Sequence, residues 1–470
     1  MPPIRFWDPG APFILSRFFD LIPDKKVEIA EKFFYNQILE VTNFLRGGDG
    51  MAFADDLKKA EKLRSLGKNG AAVAAMESVW VERLTKPELK QLRELFDQIP
   101  EQERKTSMTH CLQEMELDWL EGRFSDIDLW HDALTARRSK FREESPARAQ
   151  LETYICAANL LRVPKENSRL LLQLGILYNG GRGHSPYPII PTDRMPSVLR
   201  GSRDLSDLSI YVGAVSSIIR PMLPALSFGN SSGLVECARA ELFYEQNDLT
   251  QASLEVASAL HAEEPEILFI AYVLMARLRA LEPDGPGWRD AVEHLARILE
   301  KKHAEWLLPN FEAFQARMEL LSGNMEAARL WLDAAEDEWD GITPENFYRM
   351  ETKAGVYLSL GRYQEALSLR EQLQEMISRG NRVLDRADTL SSMALSLEAM
   401  GKRELALEKL QEALDLAEPF EYVRVIADKG KNILPLLDAL SGGAYLDRVR
   451  RAAEDFALIY PNLYAIPCSL

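Results

Sequence analysis

The sequence predicts an all-α protein built as a superhelical solenoid of stacked helical hairpins. Two observations lead to this prediction. An apolar helical pattern that ends in a short turn recurs along the chain at a nearly constant spacing, which is typical of repeat proteins. No run of alternating apolar and polar residues between turn signals is long enough to indicate a β-sheet.

The repeat is clearest in the C-terminal half of the chain. An Asn or Gly ends the first helix of each hairpin, and these anchors are spaced by 38, 38, 38 and 40 residues. Asn and Gly accept the left-handed backbone conformation with which helices commonly end. The anchors are Asn247, Gly285, Gly323, Gly361 and Gly401. The pattern predicts tetratricopeptide-like hairpins with repeats of 38–40 residues.

Small residues and prolines support the same assignment. An alanine follows each anchor by five or six residues, where it lets the second helix approach the first: Ala252, Ala291, Ala328, Ala366 and Ala406. Prolines 265, 309 and 344 are predicted to open first helices, where a missing N–H costs nothing. One hairpin cannot bury its apolar face alone, so we expect the hairpins to stack.

The remaining elements are less regular. Nearer the N-terminus we predict helices over 24–45, 84–95 and from about 106 to 120. We divide the chain into an N-terminal helical cap (1–50), irregular helical repeats (51–179), a Pro/Gly-rich ordered insertion (180–233), regular repeats (234–418) and a C-terminal helical cap (419–470).

The insertion at 180–233 holds six prolines and seven glycines, and its apolar content argues against disorder. It also carries Arg194, Arg200 and Arg203 in an otherwise acidic chain. Two interpretations stay open at this point. The segment is an ordered loop packed over an edge of the solenoid, or it forms one wall of an anion-binding or partner-binding site.

The bulk composition excludes several classes of protein. The net charge is −16, whereas proteins that bind nucleic acid through their own surface are usually basic. We expect no direct nucleic-acid binding and no membrane binding by this chain. Four widely spaced cysteines and the absence of a secretory signal predict a cytoplasmic protein with reduced thiols.

Catalytic motifs are weak, and we predict that the chain is not an enzyme and holds no metal or cofactor. The scattered histidines lack metal-ligand spacing. Residues 229–233 formally match GxSxG, but a hydrolase needs a buried strand before that motif. We interpret this stretch as a loop before a helix, with Ser231 or Ser232 as the N-cap.

Residues 406–430 carry a more specific signal, the phrase ALEKLQEALDLAEPFEYVRVIADKG. It resembles the end of the sensor region in MalT-like, large ATP-binding regulators of the LuxR family. The likeness extends over roughly 52–460, including 92–100, 195–200 and 229–248. The sequence departs from the family phrase at Glu421, which is usually glycine, and at Lys429, which is usually acidic.

The resemblance implies an effector-sensing and protein-interaction domain without the NTPase and helix-turn-helix modules of that family. The implied partners are a small-molecule or peptide effector and a protein partner or a second copy. First helices would line the concave face. Candidate ligand-binding residues, for which ordinary packing is the alternative, are Arg194, Arg200, Arg203, Arg239, Tyr244, Tyr272, Phe311, Gln315, Tyr348 and Arg386. A stand-alone scaffold for another protein is the alternative function.

Overall fold

The computed structural model describes residues 50–143, 145–162, 194–200, 232–282, 287–335, 341–379 and 382–461. Over these ranges the regular structure is helical and no strand occurs, which confirms the predicted all-α class. The helix predicted at 24–45, Gly285 and Arg203 lie outside the described residues, as does most of the insertion. No helix in the described ranges is long and apolar enough to span a membrane.

Seven α-helices form the N-terminal part of the described chain. Their bounds are α1 Gly50–Ser65, α2 Asn69–Ala75, α3 Lys86–Asp97, α4 Glu101–Arg104, α5 Met108–Leu120, α6 Phe124–Thr135 and α7 Pro146–Arg162. A 3₁₀ turn, Val81–Arg83, lies between α2 and α3. Helices α3 and α5 agree with the predictions for 84–95 and 106–120. Apolar side chains from Phe53 to Leu161 make one hydrophobic core for these helices.

Five regular hairpins follow. Their first helices are α8 Leu234–Glu245, α10 Pro265–Ala280, α12 Leu308–Leu321, α14 Phe347–Ser359 and α16 Val383–Ala399. Their second helices are α9 Leu249–Ala259, α11 Gly287–Lys301, α13 Met325–Ala335, α15 Tyr363–Ile377 and α17 Arg403–Ala417. Three further helices end the described chain: α18 Arg424–Ala427, α19 Leu434–Leu437 and α20 Ala444–Ile459.

The predicted anchors produce the hairpin turns. The φ angles are 65° at Asn247, 84° at Gly323, 76° at Gly361 and 75° at Gly401, all in the left-handed region. In the Gly361 turn the N–H of Arg362 donates to the carbonyl five residues earlier at 2.8 Å, the bond that closes a Schellman motif. The five predicted alanines are all at most 2% exposed, so the second helices pack closely on the first.

Two predicted helix starts need correction. Gly233, not Ser232, directly precedes α8, and its φ of 92° suits glycine. A side chain there would also meet the next hairpin, because a Cβ would lie 3.1 Å from Ile267. Pro344 does not open α14. That helix begins at Phe347, after a turn in which the N–H of Thr343 donates to the Asn346 side chain at 2.9 Å.

The two ends of the five-hairpin array meet. The N–H of Val423, after the last hairpin, donates to the carbonyl of Glu245 in the first hairpin at 2.6 Å. The Gln246 side chain donates to the Phe420 carbonyl at 3.2 Å, across 174 residues of sequence. The array therefore returns on itself within one set of five hairpins.

Candidate functional site

Residues 194–200 form the most unusual element of the described chain, and we call them the buried segment. Non-helical over its whole length, the segment has seven consecutive buried residues. Met195 belongs to one hydrophobic core cluster of the hairpins, and Val198 and Leu199 belong to the other. Loops normally run over protein surfaces because their backbone polar groups need partners. A buried segment without helical hydrogen bonds therefore needs other partners for its polar groups, and those partners hold it in place.

The N-terminal end of the segment is held by Arg194, whose φ is 61°. Its guanidinium donates to the carbonyls of Glu82 at 3.0 Å and Leu84 at 2.8 Å. Its own carbonyl accepts from the Asn310 side chain of α12 at 2.9 Å. Burial lowers the pKa of Arg194, and the carboxylate of Glu345 acts in the opposite direction. Arg194 thus ties the N-terminal helices to the regular hairpins.

The middle of the segment is held by one carboxylate, Glu241 of α8, which is completely buried. Glu241 accepts the N–H of Val198 at 2.8 Å, the N–H of Leu199 at 3.0 Å and the hydroxyl of Ser197. Burial raises the pKa of Glu241, while the bonds from Ser197 and Leu199 lower it. Two of the three contacts are to the main chain and do not depend on side-chain identity.

The C-terminal end of the segment is held by the ion pairs of Arg200. Arg200 donates to Asp388 of α16 at 3.0 Å and lies 3.8 Å from Glu245 of α8. Its carbonyl accepts from Arg382 at 3.3 Å. Burial opposes the charge on Arg200, but Asp388 and Glu245 raise its pKa well above the usual value. The segment therefore joins the first and last hairpins.

Arg200 belongs to a larger set of buried charges, which we call the charged seam. The seam includes the following buried residues: Arg200, Arg277, Arg317, Arg370, Arg382, Arg424, Lys429, Glu241, Glu245, Glu351, Asp385, Asp388 and Asp428. Each of the five first helices contributes at least one residue to the seam. Buried charges are costly unless they are paired, so the pairing geometry sets the stability of this region.

Two arginines of the seam use the same arrangement. The Arg277 guanidinium lies 4.0 Å from the ring centre of Tyr244 and donates to Glu245 at 2.9 Å. Arg317 lies 4.0 Å from the ring centre of Tyr348 and 3.6 Å from Glu351. In both cases an arginine of one first helix contacts an aromatic ring and a carboxylate of a neighbouring first helix. These contacts connect the hairpins to each other.

Residues after the last hairpin complete the seam. Lys429 is fully buried and donates to Asp388 at 2.7 Å and to the carbonyl of Val425 at 3.1 Å. Asp428 accepts from the Tyr244 hydroxyl at 2.8 Å and pairs with Arg424. Burial, and next the charge of Asp428, raise the pKa of Tyr244. Lys429, where the family phrase is usually acidic, thus neutralises a carboxylate of α16.

A small recess opens in the seam between α14, α15 and α16. Its empty space is about 190 Å³, part of it open to solvent, and its lining is Glu351, Arg370, Leu373, Asp388, Thr389 and Ser392. The part of that space which the centre of a water molecule can occupy is only about 10 Å³, room for about one water, whereas pockets for drug-sized ligands measure about 300–1,000 Å³. Burial, and next the charge of Asp385, raise the pKa of Glu351 to about 7. The recess is polar, and it is too small for a ligand much larger than a water molecule.

The predicted ligand-binding residues fall into two groups. Buried members are Arg194, Arg200, Tyr244, Phe311 and Tyr348. Partly exposed members are Arg239, Tyr272, Gln315 and Arg386. The buried group contacts the chain itself, and Arg194 and Arg200 bind different groups: Arg194 donates to the carbonyls of Glu82 and Leu84, and Arg200 donates to Asp388. Arg203 lies outside the described residues.

Three of the partly exposed residues pair with the second helix of their own hairpin. Arg239 donates to Glu255 at 2.7 Å, and Arg386 lies 3.8 Å from Glu412. The ring of Tyr272 stacks on His294 with 5.8 Å between the ring centres. These side chains lie on a partly exposed edge of the hairpins.

Sequence reasoning missed the acidic half of the seam. Glu241, Asp388 and Asp428 were not singled out, because each is a single carboxylate in an acidic chain. The available signal was the repeated Arg and Tyr on successive first helices.

In the described residues no group of three or more His, Cys, Asp or Glu is arranged to hold a metal ion. Cys111, Cys156 and Cys237 are buried in the hydrophobic cores.

The regular hairpins are similar to a known protein family. Residues 228–442 match the family model of the MalT-like TPR region. The matched range contains α8 to α17 together with the residues after the last hairpin that complete the seam. The matched range therefore contains Glu241, Asp388 and Lys429, while the buried segment lies before it. No curated protein matches the chain.

Proposed function

We propose that this chain is the non-catalytic, effector-sensing and protein-interaction part of a LuxR-family, MalT-like transcriptional regulator. The observation that carries the proposal is the match of residues 228–442 to the MalT-like TPR region. A sensing or protein-interaction role is what such a region suggests. The effector would be a small polar molecule or a peptide, and its binding would promote association with a protein partner or a second copy.

The charged seam supports a sensing role. A ligand shifts a conformational equilibrium only through different affinities for the two states. Buried ion pairs such as Arg277–Glu245 and Arg200–Asp388 connect the first helices of several hairpins, so a polar ligand that competes for one of them changes the arrangement of the others. The recess beside Glu351 is a point where solvent reaches this network.

A thermal-shift screen with sugars, amino acids and short peptides tests the proposal. A true effector at about 100 times its dissociation constant stabilises the chain by roughly 2.7 kcal/mol. We expect Tyr272→Ala or Gln315→Ala to weaken that stabilisation. Leu330→Ala is the matched control, because Leu330 is exposed on a second helix. Sedimentation with and without the hit then measures self-association. If no member of a broad panel stabilises the chain, the sensing role is refuted.

A stand-alone scaffold is the second candidate function. It is favoured by exposed leucines on second helices, Leu254 and Leu330, both 59% exposed. A scaffold would bind its protein partner equally well with and without any small molecule. A helix-turn-helix segment encoded in frame beyond Leu470 would favour the regulator instead.

A further inference from the structure

We propose that Arg83 couples the N-terminal helices, α1 to α7, to the hairpin array, α8 to α17, and that a change at the start of the second hairpin reaches the N-terminal helices through it. Arg83 pairs there with Glu264 and Glu266, and we call these three residues the arginine joint. The joint goes beyond the proposed sensing role, because it supplies a route between two parts of the chain whatever the effector is.

The hydrophobic cores of the two parts are separate. Over the described residues, the buried members of the N-terminal core lie between Phe53 and Leu161, and those of the two hairpin cores all come from residue 195 onwards. Phe124 packs against both parts but is only partly buried. Parts of a chain that meet in this way have polar interfaces, which permit relative motion. Their attachment therefore depends on polar contacts.

Arg83 makes a buried polar contact between the two parts. From the 3₁₀ turn between α2 and α3, its guanidinium donates to both oxygens of Glu266, from Nε at 2.8 Å and from Nη2 at 2.9 Å, and it also pairs with Glu264. All three side chains are at most 21% exposed. Burial opposes the charge on Arg83, but Glu266 and Glu264 raise its pKa above the usual value. A two-bond fork of this kind fixes direction as well as distance.

Aromatic rings and main-chain bonds hold the turn of Arg83 in place. Its guanidinium lies 3.8 Å from the ring centre of Trp80, beside the turn, and 5.5 Å from that of Trp306, in the hairpin array. Two carbonyls of the turn accept from the Arg194 side chain, Val81 at 3.3 Å and Leu84 at 2.8 Å. A shift of the turn relative to the hairpins breaks these contacts together.

The carboxylates of the joint lie at the start of α10, the first helix of the second hairpin. Glu264 is the N-cap of α10, and Glu266 lies in its first turn, where the positive end of the helix dipole stabilises a carboxylate. The same helix carries Arg277 of the charged seam, which donates to Glu245. A helix is a rigid element, so a displacement of α10 changes the seam and the joint at once.

A second contact between the parts is weaker. The ring centre of Phe124 lies 4.1 Å from the guanidinium of Arg379, and Arg379 is exposed. A Cβ at Gly122 would lie 3.4 Å from the methyl group of Thr343, an ordinary van der Waals contact. An exposed cation–π contact contributes much less than one partner of a buried ion pair. Loss of Arg83 should therefore loosen the attachment of the N-terminal helices.

Buried native thiols report the unfolding of each part. Cys111 and Cys156 lie in the core of the N-terminal helices, and Cys237 lies in a core of the hairpin array; each is at most 2% exposed. A thiol in such a core reacts only after the part that holds it opens. Pulses of N-ethylmaleimide during a urea titration of the full chain, read by peptide mass spectrometry, therefore give one unfolding curve for each part.

In wild type we expect the two curves to coincide, because the joint makes the parts unfold together. Arg83→Met leaves two buried carboxylates without their partner, and their charge is relieved when the parts separate. We expect the curve of Cys111 and Cys156 to move to lower urea by about 1 M or more and to separate from that of Cys237. Arg83→Lys keeps the charge but lacks the fork, so it should give a smaller separation.

The variant Glu264→Gln/Glu266→Gln tests the route, since both changes lie in the second hairpin. We expect it to shift the curve of the N-terminal thiols as Arg83→Met does, and the combination of all three changes should add little. Arg138→Met is the matched control, because Arg138 pairs with Glu152 at 2.7 Å within the N-terminal helices. The two curves of this control should stay coincident.

Coincident curves in Arg83→Met, separate curves in wild type, or equal separation in Arg138→Met would overturn the inference. A carboxylate variant that leaves Cys111 and Cys156 at their wild-type midpoint would also do so. If Arg83→Met is unfolded without urea, coincident curves in Arg83→Lys have the same meaning. The thermal-shift screen tests the sensing role independently, so the joint and the sensing role can each fail alone.

Discussion

Arg277 offers the most direct test of the charged seam. We consider Arg277→Met, which keeps an apolar side chain beside Tyr244 but removes the charge. Arg277 is 3% exposed and donates to Glu245 at 2.9 Å, and Glu245 is completely buried. After the substitution the nearest cation to Glu245 in the seam is Arg200, at 3.8 Å. A buried carboxylate therefore loses its closest ion-pair partner.

The expected loss is large for a single substitution. Removing one partner of a buried ion pair typically costs about 3–5 kcal/mol, because the remaining charge stays desolvated. Arg386→Met is the matched control, since Arg386 lies 3.8 Å from Glu412 and both side chains are about two-fifths exposed. An exposed pair of this kind contributes about 0–1 kcal/mol.

Urea unfolding of both variants measures the two free-energy losses. In the background of Arg277→Met, the further change Glu245→Gln should cost less than it does alone, because the carboxylate it removes has already lost its closest ion-pair partner. A double-mutant cycle gives this coupling directly. A loss for Arg277→Met no larger than that for Arg386→Met, or additive losses in the cycle, would refute the idea that pairing within the seam stabilises the hairpin array.

Two further predictions concern backbone and pH. Gly233→Ala should destabilise the fold by about 2–4 kcal/mol, because the left-handed backbone is strained for alanine and its Cβ would lie 3.1 Å from the next hairpin. Gly323 has φ 84° and open space around it, so Gly323→Ala should cost only the backbone strain, about 1–2 kcal/mol. Equal losses of stability for the two variants in thermal unfolding would contradict this prediction. Glu351 has its pKa raised from 4.5 to about 7, so the folded state binds the extra proton and this group lowers stability as pH rises from about 4.5 to 7. Glu351→Gln should remove that slope, worth of the order of 3 kcal/mol, and an unchanged pH profile of unfolding would argue against it.

The sequence predicted the local geometry of the hairpins well. Anchor residues such as Gly361 and Asn247 were recognisable because a left-handed turn needs Gly or Asn, whatever surrounds it. Alanines such as Ala366 were recognisable because close helix contact needs a small side chain. Both are short-range requirements, so a single sequence carries them.

The charged seam could not be predicted in the same way. Glu351 and Asp388 sit in helical patterns that also describe a solvated helix face, and their burial depends on which helices become neighbours. Arg200 stood out as a cation in an acidic chain, but its partner Asp388 is 188 residues away in sequence. Nothing local indicates that pairing. The candidate site therefore required the three-dimensional arrangement, whereas the repeat did not.

The meeting of the two ends of the hairpin array has a consequence for folding and evolution. Open repeat arrays behave as nearly one-dimensional chains, which lose or gain repeats with small changes in stability. Here Tyr244 bonds to Asp428 across 184 residues, so the last elements complete the first hairpin. Duplication or deletion of one hairpin would separate these partners. The number of repeats is fixed by this closure, and unfolding should proceed as one cooperative transition instead of fraying from one end.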